Sequence, residues 1–311
     1  MKKATKDLLK KINLQRFAEN NTGVRVYAKE FKELINPVFA EQSYFLDMFG
    51  GKMEARDGVQ NNKNAFSVKT NDMKTVIADY NTDANVGMGT GTGKSSRFGE
   101  RKEVVYKDVD VPYKWGWSFH EGLDRATINN DMDAAVIDRL DLQAEALIAK
   151  ANAEQSKYIS ASAKGRIEGG ATVTKDNVAE VFAKLSAYFV NAKVKKGTKL
   201  VAKVNTAVYD AIVNSNLSTT SKHSDTNIDT NEVRKFKGFE ITELPDDAFQ
   251  TNEVVYAYAV NIGKAFTGIV TTRTIDSEDF DGVALQGQGK AGEYVPEVNM
   301  KAIAKVTVTG A

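Results

Sequence analysis

The residue types best suited to chemistry sit together in residues 89–96, GTGTGKSS, where glycines, a lysine and two serines could cradle a phosphate. A Walker-type loop needs a glycine, four residues, then Gly-Lys-Ser. Counting back from Gly93-Lys94-Ser95, the first glycine falls at Met88; Gly87 is one residue too far and Gly89 one too near. No buried strand reads ahead of the loop, and Phe98-Gly99 breaks any helix after it. Nucleotide binding is therefore not expected. Were the segment a phosphate site, Lys94→Ala would abolish binding. The other catalytic patterns are missing too: no G-x-S-x-G, H-E-x-x-H, H-x-E with C-x-x-C, or EF-hand loop occurs. The two histidines are far apart, His120 ending an aromatic strand as a partly buried structural residue and His223 in a polar, solvated loop. Glu278, Asp279 and Asp281 could take a hard cation such as calcium, but they read as a solvated turn. The sequence thus predicts no catalytic, cofactor or metal site, and a structural or binding role.

The elements around the glycine-rich loop explain it better. Residues 81–100 hold only Val86, Met88 and Phe98 as sizeable apolar side chains, so this stretch cannot bury itself. Extended pieces precede it at residues 64–70 and 73–79. After it, Val109, Val111, Tyr113, Trp115, Trp117 and Phe119 alternate as one face of a single strand. The pattern predicts a long hairpin whose glycines let its tip fit another surface.

Next comes the predicted spine of the molecule, one helix from about Asn130 to Lys164. Met132, Val136, Leu140, Ala144, Leu147, Ile148 and Ala151 recur at helical spacing, with no Pro or Gly between them. Asn130 can cap its start and Gly165 can close its end. At 1.5 Å per residue it is roughly 50 Å long. An ordinary core helix or half of a coiled coil are the alternatives, but strand-like sequence flanks it on both sides. Beyond a predicted hinge at residues 165–172, a helix through Val190 is followed by a strand at residues 199–204. A short helix at residues 207–214, a polar loop at residues 215–231 and extended runs at residues 239–244 and 254–260 complete a second compact α/β unit over residues 171–264. Strand-like runs at residues 265–275 and 283–296 flank a turn at residues 277–282, and Ala302, Ala304, Val306 and Val308 give a last strand.

Whole-chain properties bound the function. The 311 residues are 42% hydrophobic and carry a net charge of +1, which argues against a dedicated nucleic-acid binder. The lack of cysteine excludes disulfides and thiolate zinc sites. No apolar run is long enough to span a membrane, and the basic start MKKATKDLLKKINLQRF lacks a secretory core, so a soluble protein made in a cytoplasm is expected. Residues 1–20 could lie on an anionic membrane, bind an acidic partner, or form a mobile solvated arm. Residues 24–49 add apolar surface that needs a partner.

This order of parts resembles the major capsid protein of tailed bacteriophages, with its HK97-like fold. INLQRFAE at residues 12–19 is similar to the start of many phage structural proteins. KLVAKVNTAVYDAI at residues 199–212 and FKGFEITELPDDAF at residues 236–249 resemble the family's axial domain. RTIDSEDFDGVALQGQGKAGEYVPEVNMKAI at residues 273–303 resembles its C-terminal passage. The resemblance implies an α+β chain with an N-terminal arm at residues 1–50 and an extended hairpin loop at residues 51–118, its tip near residues 81–100. It implies a peripheral domain at residues 119–170 and 265–300 with the spine helix at residues 130–164, and an axial domain at residues 171–264 and 301–311. It further implies self-assembly as hexamers and pentamers into an icosahedral virion shell around double-stranded DNA. No sequence-specific DNA binding and no membrane contact are implied, and assembly would take place in the bacterial host cytoplasm. Val86, Met88, Lys94, Arg97, Phe98 and Arg101 become candidate contacts between subunits. With only 25–50 residues ahead of the hairpin, a separate scaffolding protein is expected, with portal and head-completion proteins as further partners. Lys94 lies where some members form a Lys–Asn isopeptide bond, but no motif supplies the asparagine or a catalytic glutamate, so no such bond is expected. An encapsulin-type compartment shell and a tail tube subunit are the alternatives.

Overall fold

The computed structural model describes residues 42–56, 63–71, 75, 77–83, 86–87, 96–99, 102–128, 132–194, 197–215, 226–227 and 232–310. The arm before residue 42, the cap at Asn130, most of the polar loop at residues 215–231, and Met88, Lys94 and Arg101 lie outside the described residues. In chain order, β1 (Met53–Ala55) precedes β2 (Asn64–Thr70) and β3 (Lys107–Pro112). β4 (Trp115–Asp124) leads through a helical turn, α1 (Arg125–Ile128), to the 31-residue helix α2 (Met132–Ser162). β5 (Gly165–Glu168), α3 (Val178–Asn191), β6 (Leu200–Val204) and α4 (Thr206–Val213) follow. The short strands β7 (Thr226–Asn227), β8 (Glu232–Val233) and β9 (Lys235–Phe236) come before β10 (Phe239–Glu243) and β11 (Glu253–Ala259). The hairpin β12 (Lys264–Asp276) and β13 (Gly282–Tyr294), the turn α5 (Glu297–Met300) and β14 (Ile303–Thr307) complete the chain. These elements divide into two units, Asn62–Pro112 and the remainder.

In the larger unit, a six-stranded sheet runs in the order β5-β14-β11-β6-β10-β9. Its central strand, EVVYAYA, is buried along its whole length because both faces are covered. Val255 and Ala257 face α3 and α4, whose Val178, Val181, Phe182, Leu185, Phe189, Val208 and Ile212 form one core. Tyr256 and Tyr258 face a second core built from Phe45, Met48, Phe49 and Ile159. Burying the five apolar side chains of α3 contributes on the order of 10 kcal/mol of gross hydrophobic stabilisation. Asn205 caps α4, its side chain accepting from the Val208 N–H at 3.0 Å.

The tyrosines bring polar groups into the second core, and each is satisfied. Tyr256 donates to Glu253 Oε2 at 2.6 Å, and Lys305 Nζ reaches Glu253 Oε1 at 2.6 Å and Ser160 Oγ at 3.0 Å. This cluster ties α2 to β11 and β14. Burial and the adjacent Glu253 carboxylate push the Tyr256 hydroxyl far above its ordinary pKa. Tyr258 donates to Asp47 at 2.7 Å, Lys203 pairs with Asp47 at 3.2 Å, and Asn152 binds the Tyr44 N–H and the Gln42 carbonyl. Residues 42–50 are thereby fastened to the body.

A four-stranded sheet in the order β1-β12-β13-β4 completes this unit. Here β13 is read against β4 with Gly287 opposite Phe119 and Gly289 opposite Trp117. The two rings stack at 5.9 Å and lie flat over the glycine backbones. An added Cβ would meet the Phe119 ring at 2.1 Å from Gly287 and the Trp117 ring at 2.4 Å from Gly289.

Several sequence expectations are corrected. The alternation over residues 109–119 is two strands, not one: Pro112 has no N–H to continue the ladder, β3 pairs with β2, and β4 pairs with β13. Period-2 alternation persists across the break, so pattern alone does not reveal it. Residues 165–168 of the predicted hinge form β5, paired in parallel with β14, and Gly165 serves close packing against Tyr188 and Ala304 rather than closing the helix. His120 is exposed and hydrogen-bonded to Gln286, because residues 115, 117 and 119 take the inner face of β4. Helix α2 buries chiefly Ala151 to Ser162, a stretch rich in Asn152, Gln155 and Ser156, while Leu140 of the predicted stripe is 41% exposed.

Candidate functional site

The smaller unit is built on the β2–β3 hairpin, with Phe66 opposite Val111, Val68 opposite Val109 and Thr70 opposite Lys107. Asn64 Nδ2 donates to Asp110 across the pair at 2.9 Å. A two-stranded ribbon has little interior, and its composition shows the consequence. Of the twelve exposed large hydrophobics among the described residues, seven lie in it: Ile77, Tyr80, Phe98, Val104, Val105, Tyr106 and Val109. Ile77 is 93% and Phe98 82% exposed. So dense an apolar display on a small unit is unusual for a surface left in water.

Toward the tip the two chain segments are cross-tied. The Asn81 N–H donates to the Arg97 carbonyl at 3.0 Å, and Arg97 Nε donates to the Val86 carbonyl at 3.0 Å. Tyr80 and Phe98 meet edge to face at 5.0 Å. Of the candidate contact residues, Phe98 is therefore displayed, Val86 is half-buried, and Arg97 spends at least one N–H inside the hairpin. The sequence reading passed over Ile77, Tyr80 and Val104 to Tyr106. The apolar triplet VVY between charged residues was the available signal.

In the larger unit, the inner face of β4 and helix α2 enclose a groove of about 430 Å³, lined by Trp117, Phe119, Leu142, Ala146, Leu147 and Lys150 among others. Glu121 fixes its far end, accepting two bonds from Arg139 and one from Gln143. The Arg139 guanidinium holds the Glu121 carboxyl below the usual carboxylate range.

Glu293 at the end of β13 is 1% exposed. Trp115 Nε1 donates to its Oε1 at 2.9 Å, and the Lys114 ammonium lies 3.8 Å above the Tyr158 ring nearby. Burial raises the Glu293 pKa, opposed in part by the Trp115 hydrogen bond and the Lys114 charge. A folded pKa above the unfolded value means that the native state holds the extra proton. The stabilising contribution is full below the unfolded pKa and is lost as pH rises through the folded one. Glu293→Gln, which keeps the acceptor for Trp115, is expected to melt at a higher temperature than the parent at pH 8 and at the same temperature at pH 4. Equal melting at pH 8 would refute this.

No protein-family model and no curated protein matches the sequence. Solved structures do match in fold. A chain in the asymmetric unit of the bacteriophage PhiM1 mature capsid is 13% identical, with 88% of this chain and 89% of that chain covered at a TM-score of 0.61. A chain from Mycobacterium phage Adephagia is 10% identical over 92% and 99% of the two chains, with a TM-score of 0.58. A chain of the Cyanophage P-SCSP1u capsid is 13% identical over 94% and 97%, with a TM-score of 0.54. The fold is thus the HK97-like α+β fold of phage capsid proteins.

Proposed function

We propose that this chain is the major capsid protein of a tailed bacteriophage, a non-enzymatic virion component that self-assembles into an icosahedral shell around double-stranded DNA. The observation that carries the reading is the likeness of 88% of the chain to a mature capsid protein, joined to a hairpin that displays its apolar side chains. The six-stranded sheet with α3 and α4 supports an axial role at capsomer centres for residues 171–264 and 301–311. Helix α2 and the four-stranded sheet support a peripheral role for residues 119–170 and 265–300. The hairpin reaches over a neighbouring subunit, with Val86, Met88, Lys94, Arg97, Phe98 and Arg101 as contact candidates. Copies assemble as hexamers and pentamers in the host cytoplasm, assisted by a separate scaffolding protein and completed by portal and head-completion proteins.

Co-expression with the neighbouring genes, followed by size-exclusion chromatography and negative-stain microscopy, tests this. Closed particles are expected, and a compact monomer under all conditions would overturn it. Deleting residues 84–96 should leave the subunit folded by circular dichroism while impairing shell closure. Loss of monomer folding on that deletion would argue against a partner-seeking hairpin.

A further inference from the structure

Where β4 begins, a second groove of about 480 Å³ opens on the four-stranded sheet. Its lining includes Lys114, Trp115, Trp117, Lys150, Gln288 and Lys290. Lysines arrive from three elements: Lys114 from the approach to β4, Lys150 from α2 and Lys290 from β13. Lys150 is anchored by donating to the carbonyl of Gly116, another lining residue, at 2.7 Å. Among the described residues, no carboxylate lines the groove. The carboxylate that acts on the Lys114 charge is the buried Glu293.

We propose that this groove binds a phosphate-type anion, and that proton uptake by Glu293 strengthens the binding by removing the negative charge that opposes it. Three ammonium groups are compact point charges with rotatable donors, suited to phosphate oxygens; among the described residues no arginine lines the groove to grip a planar carboxylate in bidentate fashion. Ser118 and Gln288 add neutral donors to the same lining. The groups facing Glu293 are Lys114 and Trp115 from the approach to β4, Glu154 and Tyr158 from α2, and the neighbouring Tyr294. Its opposite number in β12 is the uncharged Ala265. Glu154 pairs with Lys157 at 2.8 Å, so Glu293 is the acid set against Lys114. Burial lowers the Lys114 pKa, offset in part by the Glu293 charge, and when Glu293 is neutral its negative charge no longer repels an anion in the groove. The site lies wholly in the larger unit and stands whether or not the chain builds a shell.

The chain carries its own probe, because its two tryptophans, Trp115 and Trp117, both line this groove. The full chain is titrated at pH 8 with inorganic pyrophosphate and, separately, with a short double-stranded DNA oligonucleotide, following tryptophan emission at constant ionic strength. A saturable change is expected with both if the phosphate group is what is recognised. Saturation by pyrophosphate alone assigns a free phosphate, and by DNA alone a phosphodiester backbone. The DNA titration is repeated in steps from pH 8 down to pH 5, where a phosphodiester keeps its charge, and binding is expected to tighten as pH falls, because burial raises the Glu293 pKa. Glu293→Gln should bind more tightly than the parent at pH 8 and lose the pH dependence. Lys150→Met with Lys290→Met should weaken binding at least tenfold and flatten the dependence on salt by roughly one unit of slope per lysine removed. No saturable change, or lysine variants that bind like the parent, would overturn the proposal. A Glu293→Gln variant that keeps the parent's pH dependence would overturn the gating. Circular dichroism and melting of each variant show that the fold is intact.

Discussion

Lys305→Met is expected to lower the stability of the folded subunit by about 3–5 kcal/mol, the usual cost of removing one partner from a buried ion pair. Its side chain is 11% exposed and that of Glu253 7%, at 2.6 Å from each other. Methionine keeps most of the volume of the lysine stem but leaves Glu253 charged inside the second core. Tyr256 and Ser160 still donate to the carboxylate at 2.6 and 2.7 Å, but hydroxyl dipoles do not replace a charge. The damage should not stay local, since this cluster is where α2 meets β11 and β14. Urea denaturation of the subunit reads the effect as a lower midpoint. Glu253→Gln in the Lys305→Met background should recover much of the loss, because no unpaired charge then remains. A single variant within about 1 kcal/mol of the parent would show that the pair is solvated and that the cluster does not hold the helix to the sheet.

A comparable loss is expected from Gly289→Val, for a different reason. The position faces the flat of the Trp117 indole, where even a Cβ would come to 2.4 Å of the ring. A ring stacked against Phe119 at an interplanar angle of 8° cannot swing aside alone. Either β13 separates from β4 or both aromatics leave the inner face. Overpacking of this kind costs about 1–3 kcal/mol, and the branched side chain should fall at the upper end. The Trp117 indole N–H is already buried without an acceptor, so this contact has little to spare. Tryptophan emission should shift toward the red as the ring is exposed, with a lower melting temperature. Trp117→Ala in the Gly289→Val background should recover part of the loss in melting temperature, since it removes the ring that the valine meets. A Gly289→Val protein with parent emission and melting would mean that the glycines are not required by the rings above them.

The same pair of strands shows where sequence reading stops. Trp115, Trp117 and Phe119 were legible as an inner face from alternation alone, and so was the hairpin turn at residues 277–282. That glycines 287 and 289 lie opposite those aromatics was not legible, because register between strands some 170 residues apart leaves no local trace. The hidden division at Pro112 has the same origin, since alternation records which side a residue faces but not which strand it pairs with. Of the displayed residues in the hairpin, Phe98 was anticipated from a segment too polar to bury itself. Ile77 and Val104 to Tyr106 were not, because an apolar side chain in sequence is ordinarily assigned to an interior.

The sequence by itself determined the kinds of element and their order. Helix α2, the helices at the sheet, the long hairpin and the closing strands follow from periodicity, and periodicity is local. It also determined that the hairpin tip lacks the apolar residues for a core of its own. Only the tertiary structure decided what each face meets: that the spine helix enters the core through asparagine, glutamine and serine, that a lysine from the last strand meets a glutamate from β11, and that three lysines share one groove. Those outcomes depend on contacts between residues far apart in the chain. Their energies belong to pairs, and no single position in a sequence records its partner.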